Sequence, residues 1–84
     1  MQHHRSTIAI DARRGHKGTV ISFDPVNGYG FIKPAVGGQN VCILAADVES
    51  SMLRAVHPGQ TLEYELSCNR AGTAIAVNIR AEQD

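Results

Sequence analysis

The chain has 84 residues, 43% hydrophobic and 19% charged, which describes one small globular domain and excludes a disordered tail. No apolar run approaches the ~20 residues that span a bilayer, and Met1-Gln2-His3-His4-Arg5 leads into no secretory signal. The formal net charge is zero, yet residues 1–17 hold Arg5, Arg13, Arg14 and Lys17 against Asp11 alone, a net +3 that leaves −3 on the remainder.

Residues 1–16 read as a flexible basic leader. Its one apolar patch, Ile8-Ala9-Ile10, is long enough to add an edge strand, and His3, His4 and His16 add charge below about pH 6.5. From Lys17 the apolar period becomes two. Residues 18–23 are β-branched and aromatic, bounded by Gly18 and by Asp24-Pro25, and predict a first strand. Asn27-Gly28 is a tight-turn pair, since both residue types tolerate positive φ. Residues 29–33 predict a second strand stopped by Pro34. Gly37-Gly38 turns the chain into a third strand at residues 40–44. Residues 45–57 have weak periodicity, with Asp47 or Ser50 placed to cap a helical turn, and Pro58-Gly59 ends the segment. Residues 61–66 alternate, with Leu62, Tyr64 and Leu66 inward and both glutamates outward. Asn69-Arg70-Ala71-Gly72 turns into a last strand at residues 73–79, with Ile75, Val77 and Ile79 on one face. Five short strands of this kind hide their edges best as a closed antiparallel barrel, so the fold class is all-β. The expected limits are leader 1–16, barrel 17–80 and tail 81–84.

Tyr29 and Phe31 are two apart and project from the same face of one strand. Gly28 and Gly30 flank Tyr29 and leave no side chain between the rings and an approaching ligand. An aromatic pair on an open β face is a platform on which unpaired bases stack; the same parity also fits two rings packed into a barrel. Cys42 and Cys68 have neither metal-ligand nor redox spacing and read as reduced thiols in a cytosol. The histidines have no cysteine or carboxylate at ligand spacing, so no metal is expected. Gly28-x-Gly30 lacks the strand-to-helix setting of a dinucleotide loop, and Glu63 with Glu65 is the solvated side of an alternating strand. The chain therefore reads as a binding domain with no cofactor, not as an enzyme.

The run Lys17-Gly18-Thr19-Val20, then Phe23-Asp24, then Asn27-Gly28-Tyr29-Gly30-Phe31-Ile32 resembles the cold-shock domain, whose pattern is Lys-Gly-Thr-Val-Lys-Trp-Phe-Asn followed by Lys-Gly-Phe-Gly-Phe-Ile. Gly38-Gln39-Asn40-Val41 is similar to the run before the family's second motif, Val-Phe-Val-His-Phe. Pro58-Gly59-Gln60-Thr61-Leu62-Glu63-Tyr64 resembles Glu-Gly-Gln-x-Val-x-Phe, and Ala76-Val77-Asn78-Ile79 resembles the closing Ala-Ala-Asn-Val. The resemblance covers residues 17–79 and implies a five-stranded OB-type barrel of bacterial type that binds single-stranded RNA or DNA. It assigns Tyr29 and Phe31 to base stacking with Phe23 at their margin, and Lys17, Lys33 and Arg70 to phosphates; outside the resemblance, the leader's Arg13 and Arg14 are expected to help.

The departures are concentrated on the binding side. Ser22 stands where the family has Trp, Asn27 where it has Lys, Cys42 where it has Phe, Leu44 where it has His, Ala45 where it has Phe, and Leu53 where it has an aromatic. Losing about four stacking contacts at ~1–3 kcal/mol each removes roughly 4–12 kcal/mol if the contributions add. The expected function is weak binding of single-stranded nucleic acid. The alternative is an interaction module in which Cys42, Leu44, Ala45 and Leu53 form an aliphatic patch, dimerising through that face or through the leader.

Overall fold

Alternation with period two is strict only where a strand keeps one register with both neighbours, and two of the strands here do not. The computed structural model describes residues 15–82. The leader's candidate strand at residues 8–10 and its Arg13 and Arg14 lie outside the described residues. The elements are β1 (His16–Asp24), β2 (Tyr29–Pro34), β3 (Val41–Leu44), a five-residue helix, α1 (Ala45–Glu49), then β4 (Thr61–Cys68) and β5 (Ala74–Ala81). His16 opens the barrel and Ala81 closes it, one residue beyond the expected limits at either end.

The strands close into a five-stranded barrel in the order β1-β2-β3-β5-β4, with β4 returning to β1. Four pairings are antiparallel. The fifth, β3 with β5, is parallel, because the chain crosses the barrel end through α1 and β4 before β5 returns beside β3. Alternation is unbroken on β2 and β3. Ile32, Val41 and Ile43 are buried while Tyr29, Phe31, Cys42 and Leu44 take the other side. It holds on β4, where Leu62 and Tyr64 are buried and Leu66 packs against the core.

β1 departs from strict alternation at a bulge. Val20 faces Ile32 and Ser22 faces Phe31, so Ile21 is an extra residue and half of its surface is left to solvent. A bulge bends and twists its strand. Here β1 pairs with β4 through residues 16–19 and with β2 through residues 18–24. The bend brings the backbone of β1 onto Gly30: a Cβ there would collide with the Ser22 carbonyl oxygen and meet the Phe23 Cα at 2.6 Å. Gly30 is therefore required by the barrel's inner side and not, as its place between the rings implies, by ligand access.

β5 departs at Asn78, which adopts φ 48°, while its register with β4 shifts between Glu63 and Glu65. Asn tolerates this left-handed conformation better than branched residues do. The shift reverses the strand's parity. Ala76 and Ile79 are buried and Ile75 and Val77 turn outward, so the expected Ile75, Val77, Ile79 face does not form.

Two turns also differ from expectation. Of Asn27-Gly28 only Gly28 has positive φ, 86°. Asn27 instead donates from Nδ2 to Asp24 Oδ2 at 2.6 Å, while Asp24 Oδ1 accepts the Val26 and Asn27 backbone N–H groups. Neither Asp47 nor Ser50 starts α1. Its N-cap is extended Leu44 with no side-chain bond, and Ser50 is its C-cap.

Gly30→Ala forces the bulged strand off β2. It lowers stability by about 2–3 kcal/mol as overpacking, a fall of roughly 10–20 °C in Tm for a domain of this size, read by thermal unfolding. Tyr64 is 1% exposed, stacked on His16 with ring centroids 5.8 Å apart, and burial raises its phenol above the ordinary 10.0. The folded state thus resists ionising a group that the unfolded chain ionises freely. Stability is full below pH 10.0 and falls as pH rises beyond it. Tm measured from pH 9 upward declines for the native chain and declines less for Tyr64→Phe.

Candidate nucleic-acid interface

The face that carries the two rings is built by β1, β2 and β3. Tyr29 is 46% exposed and Phe31 38% exposed. Their centroids are 5.9 Å apart with planes at 86°, an edge-to-face pair in contact, so each ring fixes the other's orientation. Both rings stand outside the barrel.

Register gives their neighbours. Phe31 lies between Ser22 on β1 and Cys42 on β3, and Tyr29 between Asp24 and Leu44. The parallel β3–β5 pairing then sets Ile75 beside Cys42, and β4 sets Ser67 beside Ile75. A continuous outer row therefore runs Ser22, Phe31, Cys42, Ile75, Ser67. Ser22 stands in this row at the place where the family has Trp, and Ile75 is an addition that sequence reasoning did not assign to the site. Ile75 was hidden because its outward direction depends on the parity reversal at Asn78. Burial pushes the Cys42 thiol up, so this position presents a neutral sulfur to the face. Cys42 and Cys68 are both free thiols.

The remaining predicted residues are distributed as follows. Lys33 shares the outward parity of Tyr29 and Phe31, faces Thr19, and makes no ion pair among the described residues. Arg70 is exposed in the β4–β5 turn; since β5 starts beside the start of β3, that turn lies at the Lys33 end of the face. Lys17 is drawn to the other side of β1. Its Nζ is 2.9 Å from Glu82 Oε2, and it stands opposite Glu63, which in turn meets Arg80 at 3.4 Å. Phe23 pairs with Gly30, not with the rings, and packs against the core. The aliphatic patch also shrinks. Leu53 packs against the core and Ala45 lines a groove below the face, leaving Cys42 and Leu44, which Ile75 joins from β5.

The carboxylates near the site are occupied. Asp24, next to Tyr29, accepts three hydrogen bonds within its own turn. Glu65 accepts from Asn78 Nδ2 at 2.9 Å and Glu63 from Arg80, which accounts for both glutamates structurally. Among the described residues no three His, Cys, Asp or Glu side chains converge to hold a metal, and no helix is long and apolar enough to cross a membrane.

The family model for the "cold-shock" DNA-binding domain matches residues 16–81. The chain belongs to the cold-shock domain family. It is 35% identical over 65 residues to the cold shock-like protein CspC of Shigella flexneri, covering 77% of this chain and 93% of that protein. It is 34% identical over 67 residues to the cold shock protein CspA of Rhizobium meliloti, covering 79% of this chain and 97% of that protein. It is 33% identical over 72 residues to glycine-rich protein 2 of Nicotiana sylvestris, covering 86% of this chain but only 34% of that protein. Relatives thus come from plants as well as bacteria, and the chain spans about a third of that plant relative. The cold-shock domain is a nucleic-acid-binding family and not a family of enzymes.

Glu82→Gln removes the ion pair between Glu82 and Lys17 while keeping size and polarity. An exposed pair contributes under ~1 kcal/mol to stability, so Tm stays within a few degrees. Affinity for a single-stranded heptamer at low salt rises about two- to threefold if Lys17 meets phosphate, read by fluorescence anisotropy.

Proposed function

We propose that this cold-shock domain binds single-stranded RNA or DNA weakly, with Tyr29 and Phe31 as its stacking platform and Lys33 and Arg70 as phosphate contacts. The observation that carries this reading is the exposure of both rings, in mutual contact, on an open sheet face. Each ring contributes ~1–3 kcal/mol per stacked base. Two therefore supply roughly 2–6 kcal/mol before phosphate contacts, a Kd of roughly tens of millimolar to tens of micromolar. The charge pattern agrees with weak binding. Lys17 is engaged by Glu82, and few cations flank the rings to release counterions from a phosphate backbone. Phe23 supports the platform from the barrel side of β1. A reducing cytosol is the compartment that suits the two free thiols.

A second reading rests on the apolar strip of Cys42, Leu44 and Ile75 beside Phe31, which a second copy of the chain would cover. Sedimentation equilibrium separates the two readings, since a monomer at concentrations that bind nucleic acid leaves the strip to the ligand.

Phe31→Ala weakens binding of a pyrimidine heptamer roughly fivefold or more, whereas Glu63→Ala does not weaken it. Titration followed by amide chemical shifts checks both. Equal effects from the two substitutions, or no shift at Tyr29 and Phe31, would overturn the platform assignment.

A further inference from the structure

β4 is longer than the part of it that closes the barrel. Residues 61–64 pair with β1, whereas residues 65–68 pair with β5 alone. The Val20 N–H donates to the Gln60 carbonyl and the Val20 carbonyl accepts from the Gly59 N–H, both at 2.8 Å. The Lys17 carbonyl, of opposite parity, accepts from Ala35 on the β2 side. Backbone direction alternates along a strand, so Leu62 and Tyr64 turn their N–H and C=O groups toward β1. β4 itself is unbroken, since the register shift beside it is taken up by the extra residue at Asn78 on β5. The same alternation therefore points the backbone groups of Leu66 and Cys68 past the start of β1, where no strand pairs with them among the described residues. A row of unpaired backbone groups is a template for one more strand.

We propose that this edge is the docking site of the chain's own residues 11–14, which continue β1 backward as an antiparallel strand along residues 65–68 of β4. These residues precede the family match, which begins at residue 16, and their docking needs no bound nucleic acid.

Three observations select this occupant. The first is position. The segment is joined through Gly15 to His16, the register partner of Tyr64, so it enters beside Glu65. Four residues at ~3.3 Å each match the length of the four-residue edge, with no loop to close. The second is Gly15, which has φ 71° and open space where a Cβ would stand. A left-handed glycine as the first of two residues opposing one is the signature of a G1 bulge. Gly15 and His16 then share Tyr64, and the ladder resumes with Arg14 opposite Glu65, Arg13 opposite Leu66 and Ala12 opposite Ser67. The third is charge. Glu65 shares the parity of Glu63, which stands opposite Lys17. Arg14 opposite Glu65 repeats that arrangement of cation across from carboxylate, which favours strand pairing. Edge-to-edge pairing of two copies sets no cation opposite Glu65, because Leu66, Ser67 and Cys68 are uncharged. Docking commits Arg14 to the barrel's own carboxylate and covers the overhang of β4.

The experiment measures amide hydrogen exchange by NMR on the full chain, native and as Arg13→Pro and Arg14→Glu. Proline at position 13 has no N–H to give the Leu66 carbonyl, and glutamate at position 14 sets like charges across the ladder. The Leu66 amide of the native chain exchanges about tenfold or more slowly than in Arg13→Pro. Arg14→Glu moves it in the same direction. Leu62 and Tyr64 keep their protection in all three, which separates loss of the added strand from loss of the barrel. Cross-strand NOEs between Arg14 and Glu65 in the native chain are a second readout that needs no variant. A Leu66 amide that exchanges at the unpaired rate in the native chain, or is unmoved by Arg13→Pro, overturns the proposal. Protection that rises with protein concentration assigns the edge to a second copy and overturns docking by the chain's own residues.

Discussion

A backbone contact at one glycine organises this domain. β1 must serve two partners, β4 at its start and β2 along its length, and it does so by bulging at Ile21 and bending inward. The bend is accommodated because Gly30 has no side chain, so the Ser22 carbonyl and the Phe23 backbone settle directly onto it. Ladder pairing on both sides of β1 follows, and with it closure of the barrel. Closure removes the open edges that a sheet of this size would otherwise present.

The same contact sets the face that carries the rings. Gly30 alternates with Tyr29 and Phe31, so its inward demand and their outward direction are two sides of one pleat. The bulge moves Ser22 opposite Phe31 and leaves Phe23 on the inner side, where it packs on the core and lines the groove. Replacement of the family's other aromatics by Ser22, Cys42, Leu44 and Ala45 therefore thins the surface without disturbing the scaffold. Buried residues such as Ile32, Ile43 and Leu62 specify the barrel, and exposed ones are at liberty to change.

Electrostatics reinforces the same division. The charges of β4 and β5 neutralise one another locally through Glu63 with Arg80, and Glu82 reaches Lys17. Asp24 is consumed by its turn. What faces the rings is therefore largely neutral, a hydroxyl, a protonated thiol and aliphatic carbon, with Lys33 at one end. Recognition built on such a face depends on ring and base surfaces more than on counterion release.

Much of this was legible in local pattern. Period two assigned Leu62 and Tyr64 to the interior and put Tyr29 and Phe31 together on one face, as it did Cys42 and Leu44, because side-chain direction alternates in any strand with an unbroken register; which side the two rings take was settled by the barrel. The motif spacing from Lys17 to Ile32 was sufficient to identify the family and its barrel. What alternation does not carry is where it breaks. The bulge at Ile21 and the left-handed turn at Asn78 arise from strands that must bend to meet two neighbours, and they decided that Phe23 lines a groove and that Ile75 joins the outer row. The parallel pairing of β3 with β5, the capture of Lys17 by Glu82 and the groove beside Ala45 likewise join residues far apart in the chain. Such contacts exist only once the barrel has closed, so only the tertiary structure determines them.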